Sequence, residues 1–320
     1  MRSAAGTVRT LTPMRVPELT PRAFRRLTLC NLVLLAIIIV SGAAVRLTDS
    51  GLGCDDWPNC NADNFVAVGT KHEAIEQLNR LFSGAILIPI VLILVASYRL
   101  RPRRRDFVNL SWVMLVLYLG NAVLGGISVL VKLAWVSVMG HFLLAIALVA
   151  VALAIHKRAS EPEGPRVSVV SGRVRYLARV VYVFTIWVLV LGTLVTAAGP
   201  HGGDVDAKRL SWPITDLARV HATSVDVLVL LVIVLVLVAV RDRAPRRFLT
   251  TLSVVLVAMV AQGILGYVQY AQGVPELLVG FHVAGAVLVF GSVQWLQFEL
   301  SAPVDSVAPG GSATRELELA

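Results

Sequence analysis

The sequence predicts an all-α integral membrane protein. Eight transmembrane helices form two tandem, pseudo-symmetric four-helix bundles, with both termini cytoplasmic. Three observations predict it. Of 320 residues, 57% are hydrophobic and 15% charged, with mean hydropathy +0.77, against about 45–50% apolar and about 25% charged in a soluble domain. Apolar stretches recur at the roughly 20-residue length that a bilayer demands. Basic residues crowd into alternate loops. Such a composition excludes a soluble enzyme, a disordered chain and a DNA-binding module. The net charge of +9 reads as cytoplasmic loop charge rather than as a nucleic-acid surface.

The spans are helices, because lipid leaves open backbone groups unsatisfied and the runs are too long and continuous for barrel strands. The arm 1–26 carries Arg2, Arg9, Arg15, Arg22, Arg25 and Arg26 and reads as a loose cytoplasmic segment. The first span, 27–46, has no small-residue cleavage site after it and is not a cleaved signal peptide. Spans 76–98, 107–130 and 136–155 complete the first half, 27–155. A basic linker, 156–175, follows. Spans 176–198, 217–240, 249–270 and 277–298 make the second half, 176–298. The tail 299–320, rich in Ser, Gly, Pro and Ala, is expected to be disordered and cytoplasmic. Arginines cluster at Arg99–Arg105, Lys157–Arg175 and Arg241–Arg247, which sets these loops inside and the intervening ones outside.

The halves read as copies. Gly125 precedes His141 by 16 residues, Gly266 precedes His282 by 16, and the two histidines are 141 apart. A similar step back from His221 reaches Asn79. Each half has an even number of spans, so the copies lie parallel.

His141, His221 and His282 each fall about five residues inside a span that starts outside, about 7 Å deep. Imidazoles at one depth in lipid point to function, and histidines hydrogen-bonded across helices are the alternative. His221 and His282 suit a bis-imidazole haem. Zinc would want three or four close ligands, and no Cys or carboxylate cluster lies at that depth. In the first half His141 faces Asn79, a poor iron ligand, so a haem there would keep an open position. Glu76 and Arg80 read as a helical ion pair, or Glu76 as a proton acceptor or positioning carboxylate for that pocket. Arg46, Arg80 and Arg219 read as holders of haem propionates or as interfacial side chains that snorkel. His72 and His201, in outer loops, are solvated or form a lid. His156 reads as merely interfacial. Cys54 and Cys60 in the first outer loop favour a disulfide on the oxidising side, with a metal pair as the weaker reading. Cys30 reads as a free thiol. Asp226, five residues after His221, has no assigned role.

These residues carry a family resemblance. Ser50-Gly51-Leu52-Gly53-Cys54, Asp56-Trp57-Pro58, Ile75-Glu76, Asn79-Arg80, the Gly-Pro-His-Gly-Gly-Asp run from Gly199 to Asp204, and the three histidines resemble those of haem A synthases, over 27–298. The resemblance implies oxidation of the C8 methyl of haem O, through a hydroxymethyl stage, to the formyl of haem A for terminal cytochrome oxidases. It implies a haem b cofactor on His221 and His282, and the haem O substrate on His141 with Asn79 and Arg80, beside an essential Glu76. It also implies a Cys54–Cys60 disulfide. Implied partners are haem O synthase, cytochrome oxidase assembly factors and an electron donor or acceptor whose kind the sequence leaves open, as it leaves open a homo-oligomer. The implied location is a bacterial-type cell membrane, with the haem sites toward the extracytoplasmic side. Many members have His where this chain has Asn79. A haem b electron-transfer protein linked to quinol, and a transporter, are the competing readings.

Overall fold

The computed structural model describes residues 20–304. Within them the chain forms eight long helices: α1 (Pro21–Leu47), α2 (Lys71–Arg99), α3 (Arg105–Leu130), α4 (Trp135–Arg158), α5 (Gly172–Ala198), α6 (Ile214–Arg241), α7 (Arg246–Ala271) and α8 (Glu276–Phe298). All eight are long and apolar enough to cross a membrane. Two three-residue strands, β1 (Arg166–Ser168) and β2 (Ser301–Pro303), add a small antiparallel ribbon.

Most helices run a few residues beyond their apolar stretches, and polar side-chain caps open three of them, at Thr20, Thr70 and Ser171. Thr20 accepts from the Ala23 N–H at 3.2 Å, with Pro21 in the first turn, a pairing that satisfies an orphan donor and presets φ. The arm therefore turns helical at Pro21, and its expected extent of 1–26 is shortened; residues 1–19 lie outside the described residues. Thr70 and Glu73 form a reciprocal capping box at the start of α2, which fixes the entry to the helix that carries Glu76, Asn79 and Arg80.

The tail also departs from expectation. Residues 299–304 are ordered, and 305–320 lie outside the described residues. Glu299 is buried and accepts from Lys157 at 2.9 Å and Arg247 at 2.9 Å, and β2 pairs with β1 of the linker. Composition had hidden this, because the partners are about 50 to 140 residues away.

Neighbouring helices close two rings: α1, α2, α3 and α4 in turn, and α5, α6, α7 and α8 in turn. The rings meet through α1 with α8, α4 with α8, and α4 with α5. Helix α8 is shared. Val287 and Phe290 enter the core of the first ring, and Val289, Val293 and Leu296 that of the second. The two stripes lie on adjoining faces of one helix. Burial is densest toward the Arg-rich end. On α7 the buried residues are Phe248, Leu252, Val255 and Met259, all short of Gly266.

Candidate functional site

The site lies at the other end, where the even-numbered helices begin. His141 is six residues after Trp135, His221 seven after Ile214, His282 six after Glu276 and Asn79 eight after Lys71. Those steps place the four positions about 9–12 Å along their helices, slightly deeper than the sequence suggested.

Each imidazole rests against a glycine of the preceding helix. A Cβ on Gly125 would meet His141 Cε1 at 3.0 Å, one on Gly192 would meet His221 Cε1 at 3.2 Å, and one on Gly266 would meet His282 Cε1 at 3.1 Å. Only a residue without Cβ lets the ring approach so closely. His141 Nδ1 donates to the Asn121 carbonyl at 3.0 Å, four residues before Gly125. That bond fixes the tautomer and leaves Nε2 with its lone pair outward, as a metal ligand needs. The His221 ring faces the Val188 carbonyl, again four residues before its glycine. The buried Nδ1 atoms of His221 and His282 close no hydrogen bond, an unusual state for buried polar nitrogens. The two rings lie near one another. Below them is a cavity of about 50 Å³ lined by Val188, Val225, Leu228, Met259, Gln262 and Val289 among others.

Among the described residues no three His, Cys, Asp or Glu side chains converge as a metal-ion site. Two imidazoles projecting from α6 and α8, with apolar walls and open nitrogens, instead fit a planar group that brings its own equatorial ligands.

The fourth position differs. Asn79 accepts from Ser41 Oγ of α1 at 2.8 Å. The glycine beside Ser41, Gly42, has nothing within 4 Å of where a Cβ would stand. In the other three pairs an imidazole fills that space.

Glu76 and Arg80 do more than pair along α2. Arg80 donates to Glu76 Oε1 at 3.0 Å and 2.6 Å, and also to the carbonyls of Asp56, Asn59 and Cys54. Glu76 Oε2 accepts from the Cys54 N–H at 2.7 Å. The pair therefore clamps the loop closed by the Cys54–Cys60 disulfide. From that loop Trp57 lies on α3 at Gly126, where a Cβ would fall 2.3 Å from the indole.

A second loop crosses between the rings. Gly51 N–H donates to the Gly203 carbonyl at 2.8 Å, and Trp135 N–H to the Lys208 carbonyl at 3.1 Å. Arg46 Nη1 donates to the His201 carbonyl at 2.6 Å, and His201 Nε2 to the Val274 carbonyl at 2.7 Å. His201 is thus a brace within a folded cover, not a solvated residue. Arg209 donates to the Thr196 carbonyl at 2.9 Å, and burial pushes its guanidinium below its ordinary value. His72 Nδ1 bonds Ser50 Oγ at 2.9 Å. Arg219 is exposed, 3.7 Å from Asp216, and does not join the imidazoles. His156 is buried against Thr28 at 3.0 Å, not merely interfacial. Cys30 is free and exposed. Sequence reasoning missed Ser41, Gly42, Gly192 and Arg209. A search for glycines near the ends of the odd-numbered spans would have found two of them.

Residues 25–68 and 64–200 match the family described as Cytochrome oxidase assembly protein (COX15-CtaA). The match takes in Glu76, Asn79, Arg80 and His141 and ends before His221. The chain is 33% identical over 95 residues to a heme A synthase of Lysinibacillus sphaericus (strain C3-41), covering 29% of this chain and 31% of that protein. It is 33% identical over 97 residues to a heme A synthase of Bacillus cereus (strain AH187), covering 30% and 31%. These alignments span under a third of the relatives' length.

Proposed function

The chain belongs to the cytochrome oxidase assembly protein family, whose profile it matches over more than half its length, and we propose that this multi-pass membrane protein is a haem A synthase. Its substrate is haem O, and the reaction takes the C8 methyl through a hydroxymethyl to the formyl of haem A. The observation that carries the reading is the set of three glycine-backed imidazoles at one level. Two of them, His221 and His282, would hold a resident haem b, and His141 would hold the substrate from one side.

A membrane interior suits a substrate with a long farnesyl tail. Bound haem supplies one-electron chemistry at iron. The protein's part is to bind, orient and exclude water. His141, held by Asn121, presents Nε2 to the substrate. The Glu76–Arg80 clamp fixes the disulfide loop and sets Trp57 as a wall on α3. Glu76 is the carboxylate placed to accept a proton in that half. Arg46 lies under the His201–Gly203 cover, where a propionate carboxylate would meet a guanidinium.

The division into two tandem bundles, 27–155 and 176–298, and the offset of their histidines support a duplicated origin. Arginine-rich loops at one end support cytoplasmic termini and sites facing outward across a bacterial cell membrane. Haem O synthase would supply the substrate, and oxidase assembly factors would take the product.

Cells that make haem O but no haem A test the reading. Haem A or its hydroxymethyl precursor in the extract is the expected result. Haem b alone, with haem O present and unconverted, would mean an electron-transfer protein. Glu76→Gln should abolish conversion while leaving the haem b content unchanged.

A further inference from the structure

Asp226 stands apart from everything above. It lies twelve residues into α6, about 18 Å along the helix, and its side chain is exposed on the outside of the ring. Ionisable groups at such depth are rare and mark function by default. Its partner is Tyr267 of α7, itself 55% exposed, whose hydroxyl donates to both carboxylate oxygens at 3.2 Å and 3.3 Å. Between α5 and α6, Arg219, Thr223 and Ser224 line a separate open groove of about 300 Å³ with Phe184, Val220 and Val227. The Asp226–Tyr267 pair adjoins the helices that carry the imidazole pair. Asp226 is five residues after His221 on one helix, and Tyr267 follows Gly266, which backs His282.

We propose that Asp226 and Tyr267 form a docking site for the head group of a membrane quinol, which reduces the metal group held by His221 and His282. The inference rests on the proposed haem b site. The patch makes three demands. The ligand must arrive through lipid, it must donate a hydrogen bond to a carboxylate, and it must have a reason to sit one helix wall from a redox centre. A quinol meets all three, with an apolar body that partitions into lipid and two hydroxyls. In the step, a quinol O–H bond breaks, the proton forms an O–H bond on Asp226, and one electron passes to ferric haem. After Asp226 releases that proton to water, the second hydroxyl repeats the step. One quinol thus becomes one quinone and reduces two ferric equivalents.

The test uses the purified full-length protein with its haem, without oxygen, and menadiol as the probe. Menadiol should reduce the haem at a saturable rate. Asp226→Asn and Tyr267→Phe should slow that reduction at least tenfold, while reduction by dithionite and the haem content stay as in the wild type. Titration with menadione should show one site per chain, weakened at least tenfold by Asp226→Asn. Haem that dithionite reduces but menadiol does not overturns the quinol site alone. Variants that react at the wild-type rate do the same. If Asp226→Asn instead converts an oligomer into a monomer by native mass, the patch is a contact between copies and the proposal falls. Protein that purifies without haem but binds menadione at Asp226 overturns the haem b reading and with it the reduction step.

Discussion

Gly266 and Asn79 carry the sharpest consequences of the site. A valine at Gly266 must displace His282, whose Cε1 stands 3.1 Å from the position of a Cβ. Gly266→Val should therefore retain the helical fold yet lose resident haem, with affinity down by about 10–100-fold, as for a lost supporting contact to a metal ligand. The haem-to-protein ratio measures it, and unchanged haem content would remove His282 from the ligand set. Asn79→His brings a fourth imidazole to the open space at Gly42. Loaded with haem O, that variant should show a second bis-imidazole centre by electron paramagnetic resonance, where the proposed site predicts one for the wild type. The histidines and Asn79 were legible in the sequence because polar residues stand out in apolar runs. Gly125 and Gly266 stood out by their equal spacing to His141 and His282, but Gly192 did not, since a long outer loop joins it to His221 and only packing brings them together.

At the scale of elements, the outer loop of the first half shows how a short-range motif acquires a long-range duty. The spacing of Glu76 and Arg80 predicts an i,i+4 pair, and the pair exists at 2.6 Å. What the spacing does not reveal is that Arg80 spends its other donors on three carbonyls of the disulfide loop. A lysine there has no planar fork to reach them. Cys54 and Cys60 lie six residues apart, and closing so small a loop contributes about 2 kcal/mol. The double Cys54→Ser, Cys60→Ser variant should melt correspondingly lower, and Trp57 should become more quenchable as it lifts from Gly126. Equal melting temperatures in oxidised wild type and double variant would show that the Glu76–Arg80 clamp alone suffices to hold the loop.

For the whole molecule, the Arg-rich end ties first half to second. Lys157, only 2% exposed, joins Glu161 at 3.0 Å and Glu299 at 2.9 Å. Leaving a buried charge wholly unpaired typically costs about 3–5 kcal/mol, but Lys157 keeps Glu161 when Glu299 is removed. Glu299→Ala should therefore destabilise the protein by less than that in a thermal melt in detergent, and Lys157→Met with Glu299→Leu should recover much of the loss. Burial alone would raise the Glu161 carboxyl, but hydrogen bonds from Arg166 and Lys157 outweigh it and hold it below its usual range. A depressed carboxyl contributes stability that is full above its unfolded value and lost as pH falls through the folded one. The melting difference between wild type and Glu161→Gln should therefore be full at pH 7, shrink as the pH falls below about 4.3, and vanish once the folded carboxyl is protonated. A difference that persisted in acid would mean that packing, not charge, is what Glu161 supplies.

The sequence by itself determined the class, the eight spans and the level at which the three imidazoles stand. Each depends on local composition and on the match between an apolar run and a bilayer, and neither needs a contact map. Tertiary structure alone decided which glycine backs which histidine. It also decided that Glu76 and Arg80 grip the disulfide loop, that residues 299–304 pair with the linker, and that Asp226 meets Tyr267 on the outer face. Those contacts join residues tens to more than a hundred positions apart. The energy that selects them comes from packing and hydrogen bonds formed when the helices come together, which no local pattern records.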